Sequence, residues 1–172
     1  MALGVTPPIL QVVGFKNSGK TTVVSNMIQF ASENGFKLGS IKHHGHGGPP
    51  DLPDEWKDSD RHLRAGALVS VVEGEGKLHL VAQKAVWQLE EILFLYQAMN
   101  VDGILVEGYK KAHYPKIVML HQKEDLVLLE ELEDVVGVIH DYSIPKIDLP
   151  STSFLFTEKE LYCHWFLDYL RR

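Results

Sequence analysis

The chain has 172 residues, about one domain with a sizeable buried core, and its 45 % hydrophobic and 23 % charged residues are ordinary for a globular protein. A formal charge of −6 argues against a general nucleic-acid-binding surface, and no run approaches the roughly 20 apolar residues of a membrane span. One cysteine, Cys163, excludes an internal disulfide and suits a reducing compartment, and the N-terminal stretch does not read as a secretory leader, so a cytoplasmic protein is expected.

In chain order, Pro7 and Pro8 precede Ile9-Leu10-Gln11-Val12-Val13, a short apolar run rich in β-branched residues that predicts a buried strand. Next comes Gly14-Phe15-Lys16-Asn17-Ser18-Gly19-Lys20-Thr21, which fits the phosphate-loop pattern G-x-x-x-x-G-K-[ST] at every fixed position. Glycines let such a loop fold so tightly that its N–H groups point inward at a phosphate chain, and the following helix aims its positive end at the same charge. Lys20 would reach the outer phosphates, and the Thr21 hydroxyl would take one position on a magnesium ion. Residues 22–33 carry Val23, Val24, Met27, Ile28 and Ala31 at helical spacing, and Asn34-Gly35 supplies a C-cap. Strand, loop and helix follow in the required order, so a bound nucleoside triphosphate is expected.

Residues 36–43 read as a second strand centred on Leu38-Gly39-Ser40-Ile41, paired in parallel with the first through a right-handed crossover. The Gly/Pro-rich stretch 42–53 leaves its carboxyl end, where open parallel sheets place ligands. His43, His44 and His46 with Asp51 and Asp54 would suit a metal, Lys42-His43-His44 would suit an anion, and a merely solvated loop fits as well. Asp58 or Ser59 is expected to cap a short helix ending near Gly66, with Arg61 and Arg64 on one face, either solvated or gripping a phosphate-bearing ligand.

Residues 68–72 and 77–81 flank the turn composition Glu73-Gly74-Glu75-Gly76, predicting a hairpin added to the parallel core and exposed for two subunits to pair. Val86, Leu89, Ile92, Leu93, Tyr96 and Met99 give a helix over 86–99, ended by Asn100. The stretch 101–110 is a buried strand closing on Glu107-Gly108; a carboxylate at that place beside a phosphate-loop strand holds the magnesium shell or orients water. Lys110 and Lys111, just beyond, would face the same anion. Strands follow at 116–120 and 135–139, with a short acidic helix or turn over 124–133 between them. Residues 158–170 put Tyr162, Trp165, Phe166, Tyr169 and Leu170 on one helix face, a core stripe and not a cofactor box, and Cys163 in it is expected to be a core residue and not a nucleophile. The expected fold is α/β, a phosphate-loop NTPase-like three-layer arrangement with a mostly parallel sheet and an added hairpin, in a single nucleotide-binding domain over 1–172.

The ordered set Gly14 to Thr22, Ile41-Lys42-His43-His44, Asp58-Ser59-x-Arg61, Ala65-Gly66-Ala67 and Leu105-Val106-Glu107-Gly108-Tyr109-Lys110 resembles the MobB family over roughly residues 8–140. Those proteins are GTP-binding adapters of molybdenum cofactor biosynthesis. The resemblance implies GTP with Mg2+, slow hydrolysis at best, a homodimer, and assistance to the MobA guanylyltransferase that joins GMP to molybdopterin. By position it implies nucleotide binding at Gly14, Asn17, Ser18, Gly19, Lys20, Thr21 and Thr22, and metal ligation at Thr21 and Glu107. Lys42, His43, His44, Arg61 and Lys110 would face the nucleotide or the molybdopterin.

Guanine specificity is not legible in the residues themselves. Pro145-Lys146-Ile147-Asp148 is the nearest approach to an Asn-Lys-x-Asp motif, and proline cannot do the asparagine's work. No water-positioning glutamine or arginine finger can be read off the chain, which fits slow hydrolysis, since such a finger is worth roughly three to five powers of ten in rate. Two other functions fit the loop. One is an ATP-dependent small-molecule kinase, with Arg61, Arg64 or Lys110 clamping the transferred phosphate and the His-rich loop as a lid. The other is a nucleotide-gated metal-insertion protein using His43, His44 and His46.

Overall fold

A computed structural model describes residues 7–45, 57–146 and 149–172, and for 57–60 the backbone alone. In chain order the elements are β1 (Ile9–Val13), α1 (Lys20–Glu33), β2 (Leu38–Lys42), α2 (Lys57–Arg64), β3 (Val69–Gly74), β4 (Lys77–Ala82), α3 (Leu89–Tyr96), β5 (Gly103–Glu107), β6 (Lys116–Leu120), a 3₁₀ turn Lys123–Leu126 running into α4 (Val127–Glu131), β7 (Val135–His140), β8 (Ser153–Leu155) and α5 (Lys159–Leu170). They divide into two units. The first holds the described residues up to Gly45 and from Leu93 onward; the second holds those up to Ile92.

The first unit is built on a six-stranded parallel sheet in the order β2-β5-β1-β6-β7-β8. Every residue of β1, β5 and β6 is buried, the signature of parallel strands covered on both faces. One face carries Leu10, Val12, Leu105, Ile117 and Met119 against α1 and α5. The other carries Val13, Val118, Leu120 and Val138 against Leu128 of α4 and Ile144. The result is the expected three-layer α/β fold. β2 does not pair with β1, however: β5 lies between them. Half of β2 is open to solvent, so it suits an edge, whereas the unbroken apolar run of β5 needs neighbours on both sides.

Helix boundaries shift for local reasons. α1 begins at Lys20, two residues early, because Gly19 already serves as its N-cap with φ 81°. α3 is shorter than the apolar period suggests. The Glu91 carboxylate accepts the Gln88 N–H at 2.9 Å and starts the helix there, so exposed Val86 lies outside it, and so does exposed Met99 at the far end. The Lys84 ammonium beside Glu91 holds its carboxyl below the usual carboxylate value. α2 starts at Lys57, which puts Asp58 and Ser59 within its first turn and not before it. β8, three residues long, is too short to leave a period in the sequence.

In the second unit β3 and β4 form an antiparallel two-stranded sheet of their own. The turn is tighter than expected: Glu73 and Gly74 pair with Leu78 and Lys77, leaving Glu75 (φ 49°) and Gly76 (φ 76°) as a turn with two positive φ angles, the kind that matches hairpin twist. Ser70 is buried, but Val69, Val71, Val72, Leu78 and Leu80 are all exposed.

α5 confirms the core reading of its aromatic stripe. Tyr162 and Phe166 are buried and Tyr169 donates its hydroxyl to the Ile9 carbonyl at 2.7 Å. Cys163 is buried with them, and desolvation pushes its thiol up to about 11. Because the thiolate is the reactive form, Cys163 should resist thiol-directed reagents in native protein and react at once in denaturant. Fast stoichiometric labelling of the native chain would contradict the core role.

Candidate functional site

The phosphate loop leaves the carboxyl end of β1 in the middle of the sheet, with β5 on one side and β6 on the other. Its glycines are required by close approach. A Cβ on Gly14 would lie 2.8 Å from Ser18 Oγ and 2.9 Å from the Met119 carbonyl, and one on Gly19 would lie 2.7 Å from the Phe156 ring. Asn17 itself holds a positive φ of 61°, a conformation its short polar side chain tolerates.

Three chain segments meet beside the loop. The parallel register sets Glu107, the last residue of β5, opposite Val12 on one side and Lys42 on the other. Thr21, in the first turn of α1, donates its hydroxyl to Glu107 Oε1 at 2.8 Å. Lys42 donates to Thr21 Oγ1 at 2.9 Å and lies 3.2 Å from the same carboxylate oxygen. Glu107 is buried, and a buried carboxylate needs such partners. Its oxygen and the threonine hydroxyl are hard ligands converging on one point, the donor set that magnesium prefers, and the Lys42 ammonium is the positive charge that now serves them.

Lys20 folds back over the loop and donates to the Phe15 carbonyl at 2.5 Å and to Ser18 Oγ at 3.3 Å. Burial lowers its pKa from the ordinary 10.5; Glu107 opposes the shift, and Lys110 and Lys42 add to it. Lys110 lies 4.7 Å from the centre of the Phe15 ring, so a third ammonium borders the loop. A chain of net charge −6 thus gathers three lysines around a single carboxylate here. That local excess suits a polyphosphate.

The structure brings Gly14, Asn17, Ser18, Gly19, Lys20, Thr21, Lys42, Glu107 and Lys110 together at the loop. Thr22 is exposed on the first turn of α1. His43 donates its N–H to the Glu107 carbonyl at 2.9 Å and packs its ring 4.4 Å from that of Tyr109; His44 follows on the exposed stretch. Lys111 is exposed beyond Lys110, and Arg61 and Arg64 lie in the last turn of α2, in the second unit. His46, Asp51, Asp54, Ile147 and Asp148 lie outside the described residues. Among the described residues, no three His, Cys, Asp or Glu side chains form a metal-binding group.

Sequence reasoning passed over Gln11, and its signal was visible: a lone amide inside a wholly buried apolar strand must find partners. Its Nε2 donates to the Gly108 carbonyl at 3.0 Å and to the Tyr109 carbonyl at 2.8 Å, fixing the turn after Glu107, where Tyr109 holds φ 54°. Phe156, His121 and Asp141 were passed over too. They border a cavity of about 350 Å³ between the loop and the ends of β6 and β7, and nothing in their local sequence announces it.

The family whose description is "Molybdopterin guanine dinucleotide synthesis protein B", MobB, matches residues 9–141. A Bacillus subtilis protein named as a probable molybdopterin-guanine dinucleotide biosynthesis adapter protein is 49 % identical over 140 residues, 81 % of this chain and 80 % of its own. An Escherichia coli protein named as a molybdopterin-guanine dinucleotide biosynthesis adapter protein is 31 % identical over 129 residues, 70 % of this chain and 73 % of its own. The crystal structure of Bacillus subtilis MobB superposes with a TM-score of 0.79 at 42 % identity, covering 94 % of this chain and 97 % of that one. Phosphate loop, Lys42–Glu107–Thr21 cluster and parallel sheet therefore sit in a chain that belongs to the MobB family of molybdopterin-guanine dinucleotide biosynthesis adapter proteins.

Proposed function

We propose that this protein binds GTP with Mg2+ and acts as an adapter for a MobA-type guanylyltransferase that attaches GMP to molybdopterin. The observation that carries the proposal is the convergence of Thr21, Glu107 and Lys42 at the edge of an intact phosphate loop. Backbone N–H groups of residues 14–19 and the α1 N-terminus would hold the phosphates. Lys20 would exchange its loop carbonyl for the outer phosphates. Thr21 and Glu107 would hold the magnesium, which neutralises phosphate charge when bound, leaving Lys42 to turn to an anion. Lys110, His43 and His44 are proposed to face the nucleotide or the molybdopterin. The described cations at the loop are lysines, point charges and not bidentate forks, which favours holding a triphosphate over splitting it quickly. We place the protein in the cytoplasm and treat both units as one nucleotide-binding domain; no helix of the described residues is long and apolar enough to cross a membrane.

A homodimer is part of the proposal. The β3–β4 hairpin exposes Val71, Val72, Leu78 and Leu80, which an isolated two-stranded ribbon leaves in water and a second copy would cover.

Titration with GTP and ATP, each with magnesium, tests the nucleotide. GTP should bind about tenfold or more tightly than ATP, Lys20→Ala should abolish binding, and Glu107→Gln should blunt the magnesium requirement. Equal or tighter ATP binding would overturn the guanine assignment and favour a kinase. Lys20 also imposes a pH dependence. Phosphates raise its pKa above the depressed free-protein value, so binding takes up a proton as pH climbs through that value, and affinity falls there. Calorimetry in two buffers of different ionisation enthalpy should show the uptake; proton-neutral binding throughout the alkaline range contradicts it. For the dimer, light scattering should report twice the 19.4 kDa chain mass, reduced to one by Val71→Glu with Leu78→Glu. A wild-type protein that stays monomeric at micromolar concentration rules the dimer out.

A further inference from the structure

The loop after β1 has two unlike flanks. Toward β5 and β2 lies the charged cluster of Thr21, Glu107 and Lys42. Toward β6 and β7 opens the cavity of about 350 Å³, at the small end of ligand pockets. A nucleoside triphosphate has the same asymmetry: one end is polyanionic, the other a flat heterocycle.

Met119 and Ile139 contribute apolar wall, and the Phe156 ring lies over Gly19, with 37 % of the residue exposed and free to be covered. Polar residues share the lining: Asn17 and Ser18 from the loop, and His121, His140 and Asp141 at the ends of β6 and β7. The β6 and β7 side is pinned. The Asp141 N–H donates to the Leu120 carbonyl at 3.0 Å, and the Asp141 carbonyl accepts from the Ile144 N–H at 3.2 Å. The Phe156 N–H donates to the His140 carbonyl at 2.8 Å. Buried Asp125 accepts the N–H groups of His121 at 2.7 Å and of Gln122 at 3.2 Å. The Asp141 side chain itself is 44 % exposed, with His121 Nδ1 3.7 Å from one carboxylate oxygen. Its backbone is fixed while its carboxylate stays open to a ligand.

We infer that this cavity takes the guanine ring of the nucleotide whose phosphates lie on the loop, and that Asp141 is the specificity-determining residue. The inference rests on the GTP reading above. An ionised carboxylate only accepts hydrogen bonds, and its two oxygens fit two parallel donors. Guanine presents such a pair, N1–H beside the 2-amino group. Adenine sets a lone pair beside its amino group, and the pyrimidines offer at most one donor beside acceptors. Only guanine satisfies both oxygens; each other base turns an acceptor toward a negative charge.

The test is competition binding of GTP, ITP, XTP and ATP, each with magnesium, to wild type and to Asp141→Asn. ITP lacks the 2-amino group, and XTP replaces it with a carbonyl. Wild type should bind ITP and XTP about tenfold or more weakly than GTP, the loss of one charge-assisted hydrogen bond. Asp141→Asn, whose amide donates to one position and accepts from the next, should weaken GTP by about tenfold or more and favour XTP. The exposed side chain makes unchanged melting of this variant the expectation. Lys20→Ala should instead weaken all four nucleotides alike, which separates the base contact from the phosphate contact. Equal wild-type affinity for GTP and ITP, or an Asp141→Asn variant that keeps the wild-type order, overturns the inference while leaving GTP binding at the loop intact. No wild-type preference for GTP over ATP overturns both this inference and the GTP reading.

Discussion

A carboxylate removed from water must be met by cations and hydrogen-bond donors, and the architecture around the phosphate loop follows from meeting that need at Glu107. The partners come from elsewhere in the chain: a hydroxyl from the first turn of α1 and an ammonium from the end of β2. Both reach it only because β5 lies between β1 and β2, with Glu107 in register with Val12 and Lys42. A β2 paired directly with β1 would leave Glu107 with one of them at most. Gln11 adds to this arrangement from inside the sheet, its amide holding the turn that follows the carboxylate.

The central place of β1 also makes the loop a boundary. The side toward β5 is polar and rich in lysine, while the side toward β6 and β7 is a small cavity of mixed apolar and polar lining, with Asp141 as the carboxylate in it. On the proposed reading, a nucleotide laid across the loop would meet charge at one end and the cavity at the other. Phosphate contacts are shared by all nucleotides, so on that reading discrimination among bases would fall to the other flank.

The second unit has a different economy. Its hairpin has a well-formed turn and a complete ladder, but two strands cannot bury both of their faces. Five large aliphatic side chains therefore stand in water on β3 and β4. An exposed apolar surface of this kind is the feature on which the proposed homodimer rests.

Local chemistry was legible from the residues in order. The phosphate loop is a backbone motif written in adjacent positions, the buried strands are unbroken apolar runs, and the α5 stripe follows the helical period, so each announces itself without neighbours. The place of Glu107 beside the loop was legible as well, because it closes the apolar strand expected next to the loop strand. Strand order, the clamp made by Gln11, the three residues of β8, and the meeting of Phe156, His121 and Asp141 around one cavity were not. Each depends on which segments the sheet sets side by side. Val12, Lys42 and Glu107 are far apart in the chain and become neighbours only when burial on both faces forces β5 into the middle of the sheet. Sequence determines what each segment can do alone; the packing of the sheet decides which of those abilities act on the same ligand.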